Sequence, residues 1–325
     1  MLTVGLCANF PITLDWLWHQ CPRGPVPGAW GNVRTIGNTG AVSLDSCDAL
    51  LILNSPHRLE RPGFMEKLTR RVADPSLTPL PLPRERIVMT TREPPGLARD
   101  WWFTHARQQA ALSIGHDPRC TQQCLMPARW TTWGDWDFWM GLAPEEKPIR
   151  CACVTTGTSA LPGHRHRLEF LRRVLDAGID VSVVGRNLPE WVHRRPGQSA
   201  ASGALLPAGP LADKAQALRA ARYTLALEND AETPLYATEK IWEPLLAWSL
   251  PIYHGSTAVD SILPAGSFVR LPDLGERGLS LLRETISDAS AWHAALPALK
   301  EARRILLTEL NMAKWVTDVF TRLNI

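Results

Sequence analysis

An apolar run at residues 223–227 (YTLAL) ends in a carboxylate and an amide, Glu228 and Asn229. A polar loop separates them from Tyr236, Glu239 and Lys240, which head a segment of helical character. A second apolar run at 251–253 then closes on His254 and Gly255. If both runs are strands of one sheet, these polar groups gather at strand carboxyl ends and at a helix N-terminus. Free backbone N–H groups and a fixed cation favour a negative charge there, and open α/β sheets bind ligands at that edge. Residues 223–256 are thus the expected centre of the chemistry, as an anion crevice.

The rest of the chain supplies the elements that such a crevice requires. Residues 2–6, 49–53 and 86–90 are short apolar strands. Residues 21–40 are rich in Pro and Gly and read as loop, 61–72 as a helix with a basic outer face, and 74–84 as a proline-rich connection. The third strand runs into Thr91, Arg92 and Glu93, and Pro94 and Pro95 hold the chain extended just beyond, leaving the Glu93 carboxylate on a strand-end loop. The polar, proline-bounded segment 143–148 reads as an interdomain linker. Strands follow at 149–155 and 181–184, the second ending in Gly185 and Arg186, and helices at 165–177, carrying Arg167, and at 212–221. Beyond the crevice come a short strand at 268–271, a helix at 278–288 and a helical region over 292–323. The alternation predicts an α/β protein of two βαβ domains facing each other across a cleft. One residue fits poorly: Pro244 lies inside the helix expected from about Thr238, where it removes the bond to the Lys240 carbonyl. Either the regular helix starts later, or it kinks there.

Composition narrows the classes. A chain of 325 residues with 45% hydrophobic and 21% charged residues is long enough for two cores without covalent staples. The net charge of +3 is interspersed rather than gathered in a basic stripe, which argues against a nucleic-acid binder. Seven cysteines form no disulfide framework, the first residues lack a signal-peptide pattern, and no apolar run approaches a membrane span. The expectation is a soluble cytoplasmic protein. Its 14 tryptophans are read mainly as core or interface area.

Three pieces of the central stretch, Leu227-Glu228-Asn229, residues 236–241 (YATEKI) and residues 250–256 (LPIYHGS), resemble the signature of the family 10 glycosyltransferases, the inverting α1,3/α1,4-fucosyltransferases that use GDP-L-fucose. The likeness extends more loosely over residues 150–275, including Arg167, Val184 and Gly185. In the N-terminal half it is confined to residues 86–95, where Glu93-Pro94 resembles the element supplying the family's base. The resemblance implies a GT-B fold: an acceptor-binding Rossmann-like domain over 1–146, a GDP-sugar-binding one over 147–295, and a helical segment over 296–325. It also implies a bacterial soluble enzyme, with no cofactor and no divalent metal required. An oligosaccharide or glycolipid acceptor, such as a lipid-linked or lipopolysaccharide precursor, would be met at the inner membrane's cytoplasmic face, with room for peripheral association.

Such a transfer makes two demands. The leaving diphosphate gains charge, for which the resemblance offers Arg167 and Lys240, aided by the helix N-terminus. Asn229 and Tyr236 would hydrogen-bond phosphate oxygens, Glu239 would accept from sugar or ribose hydroxyls, and Gly255 would lie against the donor. The attacking hydroxyl loses a proton, for which Glu93 is the candidate base. Each residue also has a plainer reading: a salt bridge from Arg167 to Glu169, a solvated Lys240, a turn Asn229, a packed Tyr236, a Glu93 paired with Arg92 or Arg99. Glu228 is read equally as ligand contact or buried structural acid. Two rivals stay open. Asp135-Trp136-Asp137 has the D-x-D form of a metal-dependent transferase with another donor, although no strand delivers it and a solvated turn is the plainer reading. The other rival is a non-catalytic relative that binds nucleotide or glycan. The Cys151/Cys153 and His164/His166 pairs lack zinc spacing, and the two cysteines share a strand face that reads as core.

Overall fold

The computed structural model describes residues 1–8, 12–37, 46–54, 80, 82–93, 100–131, 134–193 and 211–324. The expected helix at 61–72, most of the proline-rich connection at 74–84, and Pro94, Pro95 and Arg99 lie outside the described residues. Two compact units divide the chain: Met1–Pro127 with Met312–Ile325, and Ala128–Asn311.

The first unit is built on a seven-stranded sheet in the order β2-β3-β1-β4-β5-β6-β7. Its strands are β1 (Leu2–Ala8), β2 (Ala29–Trp30), β3 (Val33–Gly37), β4 (Ala49–Leu53), β5 (Ile87–Thr91), β6 (Leu112–Gly115) and β7 (Gln122–Gln123). Only the β2–β3 pair is antiparallel. Side chains alternate across a strand, so β4 serves two cores at once. Ala49, Leu51 and Leu53 join Val4, Leu6 and Val88 on one face, while Leu50 and Ile52 join Ile87, Met89, Trp102 and Phe103 on the other. Helix α1 (Asp100–Gln109) brings Trp102 and Phe103 to that second face.

The second unit holds a wholly parallel sheet, β12-β11-β10-β8-β9. Its strands are β8 (Ile149–Thr156), β9 (Ser182–Arg186), β10 (Ala221–Leu227), β11 (Leu250–His254) and β12 (Val269–Arg270). Its helices are α2 (Trp136–Gly141), α3 (Pro162–Asp176), α4 (Glu190–His193), α5 (Leu211–Ala220), α6 (Glu239–Leu246), α7 (Glu276–Ser287) and α8 (Ala289–Thr308). β8 pairs with β9 on one side and β10 on the other, so the winding reverses between β8 and β10. Ligands of open α/β sheets sit outside the strand carboxyl ends at such a reversal.

Three expectations are corrected. Residues 29–37 of the expected loop form β2 and β3, because β3 pairs with β1 and buries Val33, Thr35 and Ile36. The segment 143–148 falls inside the second unit, and the chain passes between units at Pro127/Ala128 and Asn311/Met312. The helical region over 292–323 is two helices, α8 and α9 (Met312–Arg322). They are parted where Ala128 N donates to the Leu310 carbonyl at 2.7 Å and Asn311 bridges to Ala128. α9 then returns to the first unit, laying Met312, Ala313, Val316, Val319 and Phe320 on its sheet, a helical stripe. Among the described residues, no helix is long and apolar enough to cross a membrane.

Lys147 shows why 143–148 is no linker. It is 3% exposed, and its amine donates to the carbonyls of Arg219, at the end of α5, and Ala247, which caps α6, at 2.5 and 2.9 Å. Burial, reinforced by the charge of Arg219, draws its pKa from 10.5 to about 7, with Glu145 pulling the other way. Between those values the unfolded chain holds a proton that the folded chain releases, so stability rises with pH across the window. Relative to Lys147→Met, the wild-type unfolding free energy in urea should therefore climb by a few kcal/mol between pH 7 and 10, about 1.4 kcal/mol for each unit of difference in pKa. A flat difference between the two proteins would contradict the burial argument.

Candidate functional site

A cavity of about 320 Å³ opens in the second unit where β8 and β10 part. Thr155 and Thr156 line it from β8, Asn229 from beyond β10, Arg167 from α3, and Glu239 and Lys240 from α6. Among the described residues five cationic side chains line it (Arg129, Arg167, Arg186, Lys214 and Lys240) against two carboxylates, Glu239 and Glu243. That balance suits an anionic ligand, and the low-dielectric walls strengthen the attraction.

Arg167 is held from both sides. It is 3% exposed and donates through Nη1 to Asn229 Oδ1 at 2.6 Å and through Nη2 to the Thr156 carbonyl at 3.0 Å. Burial draws its pKa down from the usual value. Its partners are thus strand-end groups rather than Glu169. Gly163, in the first turn of α3, makes this possible: a Cβ there would run into the Asn229 carbonyl. Only a glycine lets α3 come that close to the end of β10, bringing Arg167 beside Asn229 one turn later.

Lys240 is fixed by acids. Thr238 caps α6, its hydroxyl accepting from Lys240 N at 3.4 Å, and Lys240 Nζ lies 3.2 Å from Glu239 Oε1 and 3.7 Å from Glu228 Oε2. Burial disfavours the ammonium, but Glu239 and then Glu228 outweigh it, and its pKa rises. For Glu239 burial is likewise outweighed, by Lys240 and then Lys214, which hold the carboxyl well below its usual range. The helix runs through Pro244 to Leu246, so α6 is regular in extent, although Pro244 donates nothing to the Lys240 carbonyl.

Glu228, 3% exposed, lies beneath the cavity wall. It accepts from Thr238 N and Oγ1, both at 2.7 Å, and from the Tyr253 hydroxyl at 3.4 Å. Burial pushes its pKa up despite Lys240. Tyr236 is buried and outside the lining, as is Gly255, where a Cβ would strike the Tyr253 phenol and the Glu228 side chain. His254 packs with Nδ1 3.4 Å from the Leu271 carbonyl, and among the described residues no tryptophan lines the cavity.

In the first unit, Glu93 follows β5 and is exposed, accepting from Asn54 Nδ2 at 3.1 Å. Asn54 follows the adjacent strand β4 with φ 64°, a left-handed conformation that Asn tolerates. Arg92 sends one guanidinium nitrogen to the Pro127 carbonyl at 2.9 Å. Two polar side chains thus stand together at the carboxyl edge of this sheet. Asp135 is committed elsewhere: it caps α2, accepting from Phe138 N at 2.9 Å. Among the described residues no group of three or more His, Cys, Asp or Glu side chains could hold a metal.

Residues 149–279, which contain the cavity's strands and both central helices, match the family described as glycosyltransferase family 10 (fucosyltransferase), C-terminal domain. Over that segment the chain is similar to the family 10 glycosyltransferases. It is therefore placed among the glycosyltransferase enzymes. No curated protein matches the chain in sequence. A crystal structure of an alpha1,3-fucosyltransferase is similar at a TM-score of 0.50 and 12% identity, over 99% of this chain and 89% of that one. An alpha-glucosyltransferase in complex with UDP-glucose and DNA containing an abasic site is similar at 0.51 and 12%, over 90% and 86%. At such identities the likeness is one of fold, the GT-B type with two Rossmann-like α/β units.

The cavity also holds residues that the sequence did not single out for the site: Arg129, Thr131, Arg186, Lys214 and Glu243. Only Glu243 carried a signal, its i+4 spacing from Glu239 on one helix face. The Gly163 contact gives a direct check. Gly163→Ala should lower the unfolding free energy by about 1–3 kcal/mol, the usual cost of overpacking; unchanged stability would mean α3 does not sit that close to β10.

Proposed function

We propose that this glycosyltransferase moves L-fucose from GDP-β-L-fucose to a hydroxyl of an acceptor glycan, with inversion to an α-linkage of the α1,3 type. The observation that carries the reading is the cation-lined cavity, holding Arg167 and Lys240, inside the segment that matches the fucosyltransferase family. The acceptor is an oligosaccharide or glycolipid, and the reaction needs no divalent metal.

The acceptor oxygen forms its bond to the anomeric carbon as the bond from that carbon to the diphosphate oxygen breaks. The bonding pair leaves with GDP, and the acceptor proton passes to the Glu93 carboxylate. Arg167, preset by Asn229 and Thr156, and Lys240, kept charged by Glu239 and Glu228, face the charge that builds on the leaving group. Fixed donors of this kind are worth about 3–4 kcal/mol each, because they need no reorientation as charge develops. Glu239, held ionised, accepts from hydroxyls of the donor. Work at the cytoplasmic face of an inner membrane, as a peripheral protein, would bring the enzyme to lipid-linked glycans.

Lys240→Ala and Arg167→Ala should each weaken GDP binding in calorimetry and lower kcat/KM about 10²-fold or more. Glu93→Gln should leave GDP affinity near wild type while kcat falls about 10²–10⁴-fold. Full kcat in Glu93→Gln would remove it as the base. Activity lost to EDTA would overturn the metal-independent reading, and tight GDP binding without transfer across an acceptor panel would favour a non-catalytic binder.

A further inference from the structure

Beside the residues already given roles, the cavity contains an ion pair with none. Glu243 lies on α6 one turn beyond Glu239 and is 1% exposed. Its Oε1 accepts from Thr131 N at 2.6 Å and from Thr131 Oγ1 at 2.9 Å, and its Oε2 pairs with Lys214 Nζ from α5. Lys214 also donates to Thr131 Oγ1 at 3.2 Å. One carboxylate thus ties three separated pieces of the second unit, and all three side chains line the cavity.

Two features give the tie a purpose. Pro244, next to Glu243, deprives the Lys240 carbonyl of its helical hydrogen bond, so the turn bearing Glu239 and Lys240 lacks one of its ordinary backbone restraints. In addition, an acid among cavity cations would by charge alone repel an anionic ligand. Its retention in a buried, ion-paired setting is understandable if it acts through what it holds.

We propose that Glu243, clasped by Lys214 and Thr131, is a positioning residue that locks the first turn of α6 and so presents Lys240 and Glu239 to the donor. The proposal rests on the donor-binding reading above. It assigns Lys214 to the clasp rather than to direct phosphate contact, and it predicts an effect opposite in sign to simple electrostatics. Deleting a carboxylate from a cationic cavity should tighten anion binding; deleting a clasp should weaken it.

The experiment measures GDP affinity by calorimetry and amide exchange over residues 238–242 in the full chain. The set comprises wild type, Glu243→Gln, Glu243→Ala, Lys214→Met, Lys214→Arg and the swapped pair Lys214→Glu/Glu243→Lys. Expected are a roughly tenfold loss of affinity in Glu243→Ala and Lys214→Met, a smaller loss in Glu243→Gln, which keeps the Thr131 bonds, and recovery in Lys214→Arg. Faster exchange in the first turn of α6 should follow the same order, and the swapped pair should recover part of both. Unchanged or tighter GDP binding in Glu243→Ala and Glu243→Gln would overturn the proposal, as would failure of the swap alongside unaltered exchange, which would make Lys214 a direct contact. Should Glu243→Ala fail to fold, Glu243→Gln and Lys214→Met decide the matter. If the wild type binds no GDP, the donor reading fails by itself; exchange then decides the clasp, and unaltered exchange in the variants sinks it.

Discussion

A carboxylate removed from water has to be compensated, and Glu228 at the end of β10 is such a group. Its compensation organises the neighbouring structure: two bonds from Thr238 start α6 at a fixed place, the Tyr253 hydroxyl ties in β11, and Lys240 is drawn to within 3.7 Å. Removing one partner of a buried ionic cluster is costlier than never having built it, because the other is left charged and dry. Glu228 therefore acts on the site from beneath its wall. It is buried, partnered on both oxygens and outside the cavity lining.

The same logic applies at the wider cavity. Arg167 and Lys240 arrive from different helices, yet each is held by strand-end or cap groups of the protein itself. Preset dipoles and charges are effective because they lose little orientational freedom when a negative charge develops. Reversal of winding between β8 and β10 opens the space; close backbone contact at Gly163 and the cap at Thr238 fill its rim with donors.

Much of this was legible where the information is local in sequence. The hydrophobic runs marked β1, β4, β5, β8, β10 and β11, since a buried parallel strand is a short apolar run. The stretch from Glu228 to Lys240 could be recognised because its cap, acid and cation lie within a few residues of one another. Residues 29–37 were missed because two short strands among glycines and prolines carry little periodicity. The segment at 143–148 has the polar, proline-flanked composition of a linker, yet Lys147 is buried between the ends of two helices. The break before α9 has neither proline nor glycine to mark it; pairing with Ala128, far away in the chain, imposes it.

The α/β class, the alternation of strands and helices, and the local grouping of Glu228, Asn229, Glu239 and Lys240 follow from residue type and short-range spacing alone. Packing alone settles that Arg167 meets Asn229, that Glu243 meets Lys214 and Thr131, and that Gly255 and Tyr236 are buried outside the cavity lining. Those contacts join residues tens of positions apart, and burial fixes which of them can form: a charge withdrawn from water takes whatever partner the packed chain places beside it.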